Sequence, residues 1–364
     1  MKTLLLVLLL FPLLGTTCYA DSAVDELAKL TDAYSVQNAL GEGERKISGT
    51  LTLDGSYDTQ GALSRLWKTL LEKGKERLDK EIRDISAVVV LAILAAATSA
   101  VCGEGNARTV LDRVVCCLAV LRLTDGLDSL LHYATETLHR FTDYSRVILP
   151  VLFTSAAASG AVVSSSARYA AACLTMDVMM TASQRFLLPT IYLFLALAVT
   201  RSLYDNSLLQ VALNVSRWAI VTGLTVLTMV FGAYLSLTGL LAGSTDALAL
   251  KTTRMIISRA LPVVGGLLSD SAATLLSAAS LVKNSLGVFA MVAVSAMCVG
   301  PVALFSVKLL VYRGAAAVVS LWPESSLPKL LESFGTAYGM LLALVGCNAA
   351  MLFLALVSGI KAAT

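Results

Sequence analysis

SLGVFAMVAVSAMCVGPVALFSVKLLVY, residues 285–312, carries a single charge, Lys308. About 20 consecutive apolar residues are enough to cross the hydrocarbon core of a bilayer as a helix. A run of this length satisfies its own backbone hydrogen bonds when helical, so it reads as a membrane helix. Working outward, comparable runs recur near 147–167, 173–200, 218–242, 260–282 and 331–358, and Ile85 to Cys102 forms an earlier one. Val114 to Leu131 has the length of a further span but is interrupted by Arg122, Asp125 and Asp128. An ion at the bilayer centre is costly, so that stretch reads either as a helix shielded inside a bundle or as an interfacial one. The expectation is an all-α integral membrane protein with seven to eight transmembrane helices.

The composition agrees. The chain has 364 residues, 57% of them hydrophobic and 15% charged, with a mean hydropathy of +0.77. Soluble domains carry about 25% charged residues. Residues 21–84 look like ordinary soluble sequence, and the apolar runs follow residue 85. A net charge of +3 gives no argument for nucleic acid. Lys2, the apolar stretch Leu4 to Leu14 and the ending Cys18-Tyr19-Ala20 have the form of a secretory signal, with cleavage expected after Ala20. None of the other six cysteines forms a CxxC pair, so they read as small packing residues rather than a disulfide or zinc framework.

The chain thus divides into a signal peptide (1–20), an extracytoplasmic lead-in (21–84), a first membrane helix with the interrupted stretch (85–146), and two membrane units (147–245 and 246–364). In the lead-in, Ile47 to Leu53 alternates like a short strand. Leu63, Leu66, Trp67, Leu70, Leu71, Leu78, Ile82 and Ile85 then recur at helical spacing. Lys68, Lys73, Lys75, Glu76, Lys80 and Glu81 occupy the opposite face, which reads as a solvated helix, or one lying on the membrane surface or a partner.

The two units are related by an offset of 112, which carries Pro150 to Pro262, Pro189 to Pro301, Arg201 to Arg313, Gly223 to Gly335 and Arg217 to Lys329. Three spans per unit would reverse the second against the first, giving an inverted repeat of the kind found in transporters. Orientation is left open; with residue 21 outside, and if 109–131 spans, Lys329 falls inside and Arg201 and Arg217 outside.

His132, Glu136 and His139 share a helix face with Asp128 and Asp143. The segment is polar throughout, and a solvated stripe explains it without a metal. Leu261-Pro262-Val263-Val264-Gly265-Gly266 opens a span that continues through Asp270 to Lys283 and Asn284. Proline followed by paired glycines marks a helix start or break that leaves backbone groups free. Asp270 and Lys283 stand roughly 20 Å apart on a helix and cannot pair with each other. An intramembrane ionisable group is a functional candidate by default, so Asp270, Lys283, Asn284, Pro262, Gly265 and Gly266 are the pathway or gating candidates, with Asp177 and Arg185 of the first unit behind them. No nucleophile elbow, P-loop, zinc-protease or dinucleotide fingerprint occurs, so neither an enzyme nor a cofactor is expected.

The run Leu261 to Asp270, continued by Leu281-Val282-Lys283-Asn284-Ser285-Leu286-Gly287, resembles the signature of the stage III sporulation protein AE family. Leu149-Pro150 with Ser159-Gly160, Leu188-Pro189, Gly239, Asp246 with Lys251, Pro301 and Trp322-Pro323-Glu324 match alongside it. The chain departs from that pattern at 109–131, through Arg122 and Asp125. The resemblance implies an export-gate or permease-like subunit of the channel complex between mother cell and engulfed forespore, required for late forespore development. It also implies partners: other stage III sporulation A-complex membrane subunits, a secretion-type ATPase, ring-forming subunits and stage II sporulation protein Q. It adds Asp246 and Lys251 to the lesser candidates, and sets the protein in the mother-cell membrane around the forespore, its N-terminal region in the intermembrane space. A stand-alone secondary transporter and a structural scaffold for membrane partners are the alternatives.

Overall fold

Polar sequence near the N-terminus folds into short helices: α1 (24–30), α2 (Ser35–Asn38) and α3 (Glu42–Ser48). The Glu44 carboxylate fixes the start of α3 by accepting the Gly41 N–H at 2.7 Å, which occupies one of the orphan donors of a helix N-terminus. Gly49, at φ +77°, ends it; that left-handed conformation suits glycine at a helix C-terminus. The computed structural model describes residues 24–102, 106–159, 162–204, 206–241, 265–321 and 327–360, and among these no strand occurs. The alternation at Ile47 to Leu53 is therefore not a strand. Leu51 and Leu53 are buried, but they belong to the loop that leaves α3.

Helix α4 (Thr59–Cys102) runs unbroken through residue 84 and joins the polar lead-in to the apolar run. Its 44 residues make a rod of about 66 Å. Helix α5 (Asn106–Thr124) and helix α6 (Leu127–Ala158) divide the interrupted stretch between them. The break falls at Asp125-Gly126, where Gly126 takes φ +80°, so Val114 to Leu131 is not one span.

Helix α7 (Val162–Ala182), a π-turn (Ser183–Leu187) and helix α8 (Leu188–Leu203) follow one another without interruption. Pro189 has no N–H to give its helix, and the turn just before it widens, with the Leu188 N–H reaching back to the Ser183 carbonyl. Helix α9 (Ser207–Leu241) returns along α8. Helix α10 (Gly265–Val319) and helix α11 (Leu327–Ile360) form the central pair. They run antiparallel: Tyr312 packs on Phe334 and Tyr338, while 25 residues earlier Gly287 meets Ile360. A Cβ at Gly287 would lie 2.4 Å from the outer atoms of the Ile360 side chain, so the two helices approach closely here and a larger residue would displace that side chain.

Four helices among the described residues are long and apolar enough to cross a membrane: Tyr169–Leu203, Ser207–Tyr234, Leu276–Val319 and Leu327–Ile360. This corrects the expected seven to eight. The described part of the expected 260–282 span, from residue 265, runs on into 285–312 as α10, because Lys283-Asn284 between them contains no helix breaker. The 147–167 run starts inside α6, whose first half is polar, and the 85–102 run is the end of α4. Among the described residues each unit then holds two candidate spans, not three, and the odd number on which an inverted repeat rested is not found there. The expected side assignment falls as well, since Arg201, Arg217 and Lys329 line one cavity. The signal segment with Ala20, and the candidates Pro262, Asp246 and Lys251, lie outside the described residues.

The four spans differ in their surroundings. In the apolar windows of α10 and α11, 67% and 56% of residues are buried by protein, against 33% for the π-turn helix and 22% for α9. Leu208, Trp218 and Met229 of α9 point outward, as side chains solvated by lipid do. Helices α10 and α11 form the interior, and α7 to α9 the outer face.

Candidate functional site: buried charges on α10

Two lysines interrupt the apolar face of α10. The Lys283 side chain is 1% exposed, between Val282 and Leu286 at 1% and 0%. No carboxylate lies within ion-pair distance of it among the described residues. The loop leaving α3 covers this level of the helix. The Ser285 hydroxyl donates to the Leu53 carbonyl at 3.5 Å, and Tyr57 meets Phe289 edge-on with ring centroids 5.7 Å apart. Asn284, next in sequence, is exposed. Burying an ammonium without a counter-charge is expensive, so Lys283 marks the place on α10 where packing gives way to some other requirement.

Lys308 lies roughly 37 Å further along the same helix, and it is paired. Its Nζ sits 2.6 Å from Oε1 of Glu81 on α4, with side-chain exposures of 14% and 8%. The rings of Tyr312 and Tyr338 flank the ammonium at 5.8 and 5.4 Å, within cation–π range. The result is a four-residue box joining α4, α10 and α11. Just beyond Tyr57, Ala62 and Leu66 of α4 pack with Val292 and Ala296 of α10 in a separate small cluster. The lead-in is therefore docked along α10. A second contact, half-buried, in which Arg140 of α6 donates to the Glu44 carboxylate of α3 at 2.7 Å, holds it to α6.

The structure brings few of the sequence-derived candidates together. Asp177 pairs with Arg146 of α6 at 2.9 Å, both largely exposed, so it is not the counter-charge of Lys283. Arg185 stands in the π-turn and is exposed. Gly265 and Gly266 open α10, and Asp270 follows in its first turns. Among the described residues, no group of three His, Cys, Asp or Glu side chains converges on a metal-sized site. Sequence reasoning missed Glu81, placed on the solvated face of α4. The signal was present in Lys308, a lone charge inside an apolar run that had to find a partner. It also missed Asn348 of α11, fully buried, whose amide donates to the Leu344 carbonyl at 2.7 Å while its Oδ1 has no partner.

Long helices with outward apolar faces, around an interior carrying sparse buried charges, define a polytopic α-helical membrane protein. Residues 51–363 match the family described as stage III sporulation protein AE. The chain belongs to that family, and the match takes in the charged half of α4 together with α10 and α11. The chain is also similar to the stage III sporulation protein AE of Bacillus subtilis (strain 168), at 25% identity over 189 residues, which is 52% of this chain and 47% of that protein. It spans about half the length of that curated relative. No solved structure matches.

Proposed function

We propose that this chain is the export-gate or permease-like membrane subunit of the channel complex linking mother cell and engulfed forespore, acting in late forespore development. Family membership supports the sporulation setting. The observation that carries the gating role is Lys283, buried on a central membrane helix with no described counter-charge, inside the segment that matches the family. In this reading Lys283, with Asp270 and the Pro262–Gly266 opening, lines or gates a path. Asn284 belongs to the same set, and Asp177, Arg185, Asp246 and Lys251 rank behind it. The lead-in docks on α10 from the intermembrane space. The other A-complex membrane subunits, a secretion-type ATPase, ring-forming subunits and stage II sporulation protein Q are the proposed partners, and any chemistry belongs to the ATPase.

The test is a set of Lys283→Met, Lys283→Arg and Asp270→Ala strains, scored for heat-resistant spores and for co-purification of the complex. The expected result is loss of spores with the complex still assembled for Lys283→Met and Asp270→Ala, and partial rescue by Lys283→Arg. Normal sporulation in both neutral variants would remove the gating assignment.

A further inference from the structure

Helix α8 ends its span with Arg201, two residues before Leu203, and α9 begins at Ser207. On α9, Gln210, Asn214 and Arg217 fall at i, i+4 and i+7, one face of a helix. Helix α11 starts its own span at Leu327 and presents Lys329 and Glu332 in its first turns. The three polar faces line a half-open cleft of about 260 Å³. This is smaller than the ~300–1,000 Å³ of a drug-sized site and sits where candidate spans end or begin.

Three basic groups and one acidic group line this space, Lys329 and Glu332 side by side on α11. Among the described residues, none of Arg201, Arg217, Lys329 and Glu332 is in an ion pair. Like charges gathered around one cavity repel, and an anion placed among them removes that repulsion. Guanidinium groups offer paired donors matched to phosphate oxygens. Gln210 supplies a second requirement. Its amide nitrogen donates to the Asn214 side-chain oxygen at 3.1 Å, while its own Oε1 is buried with no partner. An unsatisfied buried acceptor calls for a donor, and Glu332 is a second acceptor in the same wall.

We infer that this cavity binds a phosphate group carrying a hydroxylated substituent, the chemistry of a glycerol phosphate headgroup. The phosphate is held by Arg201, Arg217 and Lys329, and the hydroxyls donate to Gln210 Oε1 and Glu332. Basic pockets between membrane helices near their ends take anionic headgroups for this reason. The same chemistry could arrive as a soluble ester, which the experiment separates.

The full-length protein, purified in detergent, is titrated with phosphatidylglycerol, phosphatidylcholine or glycerol 3-phosphate, and bound ligand is counted by native mass spectrometry. Phosphatidylglycerol is expected to bind at least about tenfold more tightly than phosphatidylcholine, a difference in reach of one or two charge-assisted hydrogen bonds. The double variant Arg217→Gln/Lys329→Gln loses that preference, Arg217→Lys/Lys329→Arg keeps it, and Lys68→Gln, an exposed control on α4, leaves it unchanged. Full displacement by millimolar glycerol 3-phosphate supports the site and identifies the soluble ester as its source; failure to displace supports the lipid. Equal binding of the two lipids, or an unchanged preference in the neutral double variant, overturns the proposal. The charge-conserving pair keeps the result readable if the neutral pair folds poorly.

Discussion

Lys308 and Glu81 are each sheltered from solvent, and their mutual attraction offsets the cost of removing two charges from water. Removing one partner leaves the other buried and alone, a loss of about 3–5 kcal/mol in such pairs, whereas replacing both by apolar groups is often neutral. Lys308→Met is therefore expected to lower thermal stability in detergent sharply, and Glu81→Leu/Lys308→Met to recover most of it, as read by differential scanning. Equal melting temperatures for the single variant and the wild type would show that the pair contributes nothing. Tyr57, outside the spans, makes a pH prediction. Burial pushes its phenol from the usual value near 10 up to about 12, with Arg65 opposing and Asp58 adding slightly, and its hydroxyl donates to the Ser48 carbonyl. A raised pKa means the folded state holds the proton more tightly. The stabilisation is complete below pH 10 and is lost as pH climbs through about 12. Alkaline loosening of the lead-in should fall in that window, and Tyr57→Phe should remove the titration; near-ultraviolet absorbance of the phenolate follows it directly.

At the scale of elements, the docking of α4 on α10 is the least expected feature. In a cysteine-free background, cysteines at Leu66 and Ala296, which pack in one cluster, should cross-link on mild oxidation. Cysteines at Trp67 and Ala296 should not, because Trp67 points away at 64% exposure. Equal cross-linking of both pairs would mean that α4 does not sit on α10 in this register. The sequence made α4 legible as a helix and part of its facing. Of its apolar stripe, Leu66 and Ile85 are buried and Leu70 is half-buried, while Leu63, Trp67, Leu71, Leu78 and Ile82 are exposed. Ala62 and Glu81 complete the buried face, each about one residue, or ~100°, behind an exposed apolar position. Periodicity weighs apolar character. It does not weigh the close approach that a small residue such as Ala62 permits, or the paired carboxylate of Glu81. The same limit explains α10. Lys283-Asn284 read as the end of one span and the start of the next, yet neither residue breaks a helix. By contrast, Pro150, Pro189 and Pro301 sit within or at the start of helices, although proline is the stronger signal of interruption.

At the scale of the whole molecule, the class and the family were legible. Class follows from the lipid-length apolar runs, and family from an ordered set of residues that a generic apolar helix would not supply. Topology was not, because it depended on counting spans, and every merged pair of runs changes the parity. The shared cavity of Arg201, Arg217 and Lys329 now fixes one relation: the α8–α9 turn and the start of α11 lie at the same end of the bundle. Compartment reporters inserted at Tyr204 and Leu321 should therefore report the same side of the membrane. Opposite readings would break the arrangement of α8, α9 and α11.

Helix α10 has 55 residues, roughly 82 Å by its rise, more than twice the hydrocarbon thickness of a bilayer. Held to α4 through Lys308 and to α11 at Gly287 and Tyr312, it is braced by protein along much of its length. A rod that long cannot sit wholly in hydrocarbon at the modest tilts usual for membrane helices. Part of it therefore stands beyond the bilayer, where the packing of neighbouring helices has to take over from lipid.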